Sequence, residues 1–190
     1  MKIGKVIKWT SSFFRIIKYK LIYKNNIEIH LEFKKKPPYI GKNCDIFIDK
    51  NSKLIIKNGT YISPYCKIGV YNGATIELDE MIYMGVNCRV LSREKIYIGK
   101  NVLLADNVSI YDHDHRYDDI TKTIGQQGWV ARKISIASDC WLATNVTVLK
   151  GTEIGERVII GANSVVTNKI DGYGVYVGNP LRKIKELCDD

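Results

Sequence analysis

Four consecutive residues, Asp112-His113-Asp114-His115, concentrate the chemistry of this sequence. Imidazole exchanges a proton near neutral pH, and here carboxylates lie close by in the sequence. Two of the three histidines of the chain lie here. Such a cluster suits a general base that removes the proton of an attacking hydroxyl, as acyl transfer from a thioester to an alcohol requires. That reaction also needs a fixed donor for the developing oxyanion, often a backbone N–H. It needs neither a metal nor a covalent enzyme intermediate. The same residues, with Asp118 and Asp119 nearby, also suit a divalent ion, although a site of three histidines would have to recruit His30. A third reading leaves both histidines as solvated loop residues. Residue types alone leave these three open.

The elements that must position this cluster are read from an internal repeat. Its period is six: Ile136-Ala-Ser-Asp-Cys-Trp, Leu142-Ala-Thr-Asn-Val-Thr, Val148-Leu-Lys-Gly-Thr-Glu, Ile154-Gly-Glu-Arg-Val-Ile, Ile160-Gly-Ala-Asn-Ser-Val, then Val166. A second run starts at Ile98, continues at Leu104 and reaches Ile110; looser runs begin at Ile40, Ile56, Ile62, Ile68 and Met84. The first position is a bulky aliphatic suited to a stacked core. The second is mostly Gly or Ala, which leaves the turn unobstructed. The fourth is Asn43, Gly59, Asn87, Asn101, Asn107, Asp139, Asn145, Gly151 or Asn163, residue types that tolerate positive φ at a corner. The fifth is small. An α-helix would repeat its apolar residues at three or four and an antiparallel strand at two. Three six-residue edges instead make one triangular coil, and coils stack at the ~4.8 Å spacing of strands. The fold class expected is all-β, a parallel β-helix. Cys44, Cys66, Cys88 and Cys140 each occupy the small fifth position, so packing explains them; Cys188 carries no signal.

Two segments fall outside the repeat. Residues 1–39 read as an N-terminal element, ahead of a β-helix domain over 40–185 and a tail over 186–190. Within it, Ile3, Ile7, Thr10, Phe14, Ile17 and Leu21, reinforced by Val6 and Phe13, form a helical stripe over residues 1–24. Ile27, Ile29, Leu31 and Phe33 alternate with polar residues like a half-exposed strand. Lys34-Lys35-Lys36-Pro37-Pro38 then interrupts the chain. The helix is expected either to cap the open solenoid end or to lie on anionic lipid near a lipid-linked glycan. The second excursion, 111–135, carries the histidine cluster, and a long loop on a rigid scaffold is where function concentrates.

The 190 residues suit one domain. The formal charge of +9 is local. Residues 1–36 hold ten basic side chains against Glu28 and Glu32, and the remainder is nearly balanced, with 19 basic and 18 acidic residues. A general nucleic-acid surface is therefore not expected. An odd count of five cysteines without paired spacing is no disulfide framework. The apolar residues of the N-terminus are interrupted by Lys8, Arg15, Lys18 and Lys20, unlike a signal peptide or a membrane span. The expected location is the cytoplasm, with a peripheral position at the inner membrane face open to the basic helix.

The run Ile98-Gly-Lys-Asn-Val-Leu-Leu-Ala-Asp-Asn-Val-Ser-Ile, the Asp-His-Asp-His loop, and the stretch from Trp141 to Gly178-Asn179-Pro180 resemble the hexapeptide-repeat O-acetyltransferases. The resemblance is to the galactoside and maltose branch and its relatives acting on bacterial surface sugars, over roughly 40–185. It implies a left-handed helix, a homotrimer and acetyl-CoA bound between subunits, with no metal required. It implies His115 as the catalytic base and His113 as an auxiliary or substrate contact. Asn87 is implied as an acceptor contact, Asp114 accompanies it beside the histidines, and Trp141 is implied as a cleft wall. Thr144 and Ala162 fall where backbone groups meet the thioester or pantetheine. Thr167, Asn168, Arg182 and Lys185 fall on contacts to the far end of the coenzyme. The sequence departs from the family at Asn168, where lysine is common and Lys169 stands one place along. It departs again at Ser92 or Arg93, where the galactoside enzymes carry an acidic sugar contact; a larger or anionic glycan would suit those residues. Two other activities fit the same scaffold: N-acylation of an amino-sugar nucleotide, and a non-enzymatic binding module.

Overall fold

The computed structural model describes residues 2–187, with side chains from residue 7 onward; Ile3, Val6 and Cys188 of the sequence reading lie outside the described side chains. Three parallel sheets form the faces of a prism. Face A stacks Ile27–Ile29, Lys53–Ile56, Thr75–Leu78, Lys95–Ile98, Ile134–Ile136 and Glu153–Ile154. Face B runs from Tyr39–Ile40 through Tyr61–Ile62, Tyr83–Met84, Leu103–Leu104, Trp141–Leu142 and Val158–Ile160 to Gly174–Val177. A final antiparallel strand, Arg182–Glu186, closes face B. Face C stacks Asp45–Ile48, Lys67–Val70, Arg89–Ser92, Ser109–Tyr111, Thr147–Val148 and Val165–Val166. The chain visits A, B and C in turn, so each circuit is one coil of a β-solenoid.

The hexad positions acquire their physical reasons here. First-position residues such as Ile62, Leu104, Ile110, Leu142 and Ile160 are fully buried inside the prism. All nine fourth-position residues anticipated at corners have positive φ, from 56° at Asn43 to 79° at Gly151. The small second position answers to the next coil rather than to its own turn. A Cβ on Gly155 would stand 2.4 Å from the amide nitrogen of Gly172, and one on Gly99 would stand 2.8 Å from the carbonyl carbon of Ala137. The buried thiols serve packing: Cys66, Cys88 and Cys140 donate to the carbonyls of Gly85, Ala105 and Gly155. Burial pushes the Cys140 thiol up to about 11.

Arg157 also occupies a corner, at φ 55°, where a side chain larger than Asn or Gly is strained. Its ion pair with Asp139, 3.7 Å long and exposed, offsets little. Arg157→Asn is expected to stabilise the protein by about 1 kcal/mol, raising Tm by roughly 2–4 °C in a thermal unfolding experiment.

The N-terminal helix α1, Lys2–Tyr23, lies across the first coil, and the face it buries is not the one its hydrophobic pattern suggested. Ser12, Ile16 and Tyr19 are buried, whereas Ile7, Phe13, Phe14, Ile17 and Leu21 of the anticipated stripe are exposed. Hydrogen bonding explains the choice. The first coil has no coil beneath it, so its backbone groups need partners. Ser12 accepts from the Ile40 amide at 2.9 Å and Arg15 donates to the Ile40 carbonyl at 2.8 Å. The Tyr19 and Tyr23 hydroxyls donate to the carbonyls of Cys44 and Ile46. A second difference lies just beyond: Ile27–Ile29 pairs in parallel with Leu54–Ile56. Face A therefore begins ahead of residue 40, and the strand ends before Leu31 and Phe33, which are exposed.

Candidate active site

The histidine cluster leaves the prism at the corner between faces C and A, directly after Ser109–Tyr111. His113–His115 forms an antiparallel hairpin with Trp129–Ala131, His115 standing opposite Trp129. Alternation along a strand puts His113 and His115 on one face and Asp114 on the other. Asp114 pairs with Lys150, which tethers the hairpin to the corner of the next coil.

Asp112 is the buried root of the hairpin. Its fully buried carboxylate accepts from the Ser92 hydroxyl at 2.6 Å and from the amides of Arg93 and Glu94 at 2.8 and 2.9 Å. It also meets Nδ1 of His113 at 2.9 Å. Burial opposes its charge, but these donors outweigh burial and hold the carboxyl below the ordinary range. The pair fixes the ring orientation of His113, whose side chain is only 9% exposed.

His115 is differently placed. Its ring lies 3.7 Å from that of Trp129, tilted by 35°. Among the described residues its ring nitrogens have no hydrogen-bond partner, and it lines a cavity of about 220 Å³ with Arg116, Tyr117, Asp118, Arg132 and Lys150. Trp129 pins the arrangement: His113 meets it edge-on at 5.2 Å and the Arg93 guanidinium lies 4.1 Å from its centroid. Among the described residues the buried Nε of Arg93 has no hydrogen-bond partner. Sequence reasoning did not single out Asp112 as an orienting group, nor Trp129 or Lys150. The one available signal for Trp129 was that it is the single tryptophan of the excursion.

A second group of anticipated residues lies on another edge. Asn87, Thr144 and Ala162 share the corner between faces B and C, stacked coil on coil. The Asn87 amide donates to the Asn107 side chain at 2.8 Å, and Asn163 N–H donates to the Thr144 carbonyl at 3.0 Å. Among the described residues, the N–H groups of Thr144 and Ala162 have no acceptor within the fold. Trp141, 46% exposed, projects from face B between Leu103 and Ile159. Thr167 and Asn168 line a cavity of about 280 Å³ together with Lys169, Asn179 and Lys183. Arg182 and Lys185 lie outside its lining on the exposed last strand. Among the described residues no three His, Cys, Asp or Glu converge as metal ligands.

The family model "Bacterial transferase hexapeptide (six repeats)" matches residues 133–168, the run of hexads that carries Trp141, Thr144 and Ala162. Those residues carry the repeat of the hexapeptide transferase family. A probable acetyltransferase of Mycobacterium tuberculosis is 30% identical to this hexapeptide-repeat chain over 174 residues, 91% of this chain and 56% of the relative. The galactoside O-acetyltransferase of Escherichia coli is 30% identical over 117 residues, 62% of this chain and 57% of its own. The chain thus spans little more than half the length of these curated relatives. Among solved structures, a Bacillus cereus N-acyltransferase with dTDP and coenzyme A shares the fold, with a TM-score of 0.70 at 18% identity over 90% of this chain and 89% of the other. A polysialic-acid-specific acetyltransferase does so at 0.56 and 23% identity, over 78% and 74%.

Proposed function

We propose that this protein is an acetyl-CoA-dependent O-acetyltransferase in which His115 takes the proton from a sugar hydroxyl. The observation that carries the reading is an accessible imidazole, braced on Trp129 and without a hydrogen-bond partner at either nitrogen among the described residues, beside a histidine that a buried carboxylate fixes. The naming of the relatives as acetyltransferases supports it. The hydroxyl proton passes to His115 as the oxygen bonds to the thioester carbonyl carbon. The unpartnered N–H groups of the B–C corner are suited to receive the resulting oxyanion. Collapse breaks the carbon–sulfur bond, and the thiolate takes back the proton.

One chain does not hold all these groups together. The hairpin and the Asn87–Thr144–Ala162 corner sit at opposite ends of face C, and a four-residue strand spans about 13 Å. A homotrimer in which one protomer's B–C corner faces its neighbour's hairpin would complete the site. Acetyl-CoA would then run up that corner, its phosphorylated end in the cavity of Thr167 and Asn168. Lys183 lines that cavity, so Lys183→Ala is expected to raise KM for acetyl-CoA about 5- to 10-fold, equivalent to about 1–1.4 kcal/mol, with kcat within about twofold.

The acceptor we infer is a larger or anionic surface-polysaccharide precursor met in the cytoplasm. Ser92 is committed to Asp112, and Arg93 sets a cation beside Trp129 where galactoside enzymes carry an acid. The test is thiol release from acetyl-CoA across a panel of neutral and acidic sugars, with product mass read before and after mild alkali. Loss of the acetyl group in alkali identifies an ester. Retention identifies an amide and overturns O-transfer.

A further inference from the structure

The outward face of α1 has no role in capping the solenoid or in acyl transfer. Ile7, Phe13, Phe14 and Leu21 are each more than half exposed, Phe14 and Leu21 reaching 69% and 71%. At 100° per residue, Ile7, Phe14, Ile17 and Leu21 fall in one stripe, opposite the buried Ser12, Ile16, Tyr19 and Tyr23. Lys18 borders the stripe on one side, with Lys20 and Lys24 on the other. These lysines are exposed and make no ion pair among the described residues. Beside the stripe, an apolar groove of about 330 Å³ separates Phe13 and Phe14 from Leu31, Pro37 and Pro38. Phe33, 91% exposed, follows in the segment that holds Lys34 and Lys36.

We propose that α1 seats the protein on an anionic lipid surface, its apolar stripe entering the headgroup boundary and its lysines meeting lipid phosphates. Large apolar side chains on one face with lysines along both borders make an interfacial helix. Among the described residues no helix is long and apolar enough to cross a membrane, so the proposed seat of α1 is in the plane of the surface. Charge selects lipid over a second copy of this chain. A two-fold pairing of the stripe would bring the lysine rows of both copies together around one apolar seam.

The proposal is independent of acetyl transfer and is tested without it, by flotation of the full chain with vesicles. Binding to phosphatidylcholine vesicles containing about one-third phosphatidylglycerol is expected to exceed binding to pure phosphatidylcholine by at least about tenfold. The double variants Phe14→Ser/Leu21→Ser and Lys18→Glu/Lys20→Glu are each expected to lose about tenfold of that binding. All four side chains are exposed, so thermal unfolding should match the wild type and separate lost docking from lost folding. Equal binding to both vesicle types, no binding, or variants that bind like wild type overturns the proposal. So does light scattering in which Phe14→Ser/Leu21→Ser lowers the particle mass, since the stripe would then belong to a second copy.

Discussion

Replacing His115 with alanine is expected to lower kcat about 10²- to 10⁴-fold, the range a positioned general base supplies. At about 1.36 kcal/mol per tenfold, the barrier rises by roughly 3–5 kcal/mol. Little else should change. The side chain is exposed and the hairpin is held elsewhere, by Asp112, Trp129 and the Lys150–Asp114 pair. Unfolding temperature and acetyl-CoA affinity should therefore remain those of the wild type. His113→Ala is expected to cost less, since its Nδ1 is engaged by Asp112 and its ring is largely covered. The decisive comparison is single-turnover acetyl transfer by both variants at saturating acetyl-CoA. If His115→Ala stays within tenfold of wild type while His113→Ala collapses, the base is the histidine that the buried carboxylate orients.

The contrast between these histidines shows how far residue order carries an argument. The hexads were legible because one phase of the repeat solves one local problem: Asn87, Asn107, Asn145 and Asn163 each turn a corner at positive φ. The histidine excursion was legible because it breaks that phase. The docking face of α1 was not. Hydrophobic periodicity weighs apolar side chains, and the face that packs was chosen for Ser12, Arg15, Tyr19 and Tyr23, which satisfy the backbone of an unpaired first coil. Within the site, Asp112 looked like one of several loop acids. Its burial depends on the Ser92-Arg93-Glu94 corner one coil earlier. Trp129 reaches His115 only through the hairpin register, and Lys150 reaches Asp114 only because the next coil returns beneath the loop. Contacts between coils are set by where the repeat is interrupted, which no single hexad encodes.

The same separation of edges gives the second large effect. Asn87 and His115 lie at opposite ends of face C, so a shared acceptor would take them from different protomers. His115→Ala and Asn87→Ala chains should each be nearly inactive alone. Mixed at equal amounts during assembly, they should regain about a quarter of wild-type activity. In the proposed assembly each composite site would draw its histidine and its asparagine from separate chains, and each would be intact in half of the draws. The asparagine variant must fold for this to work. Its φ of 59° strains alanine by about 1–2 kcal/mol, so Asn87→Gly serves as the matched control with the corner relaxed. Subunit mixing is verified by a mass tag on one chain. Recovery near a quarter requires sites built across a subunit boundary. A mixed preparation no more active than its components would place both groups in one protomer's site, and the strand between them would then have to be spanned by the acceptor itself.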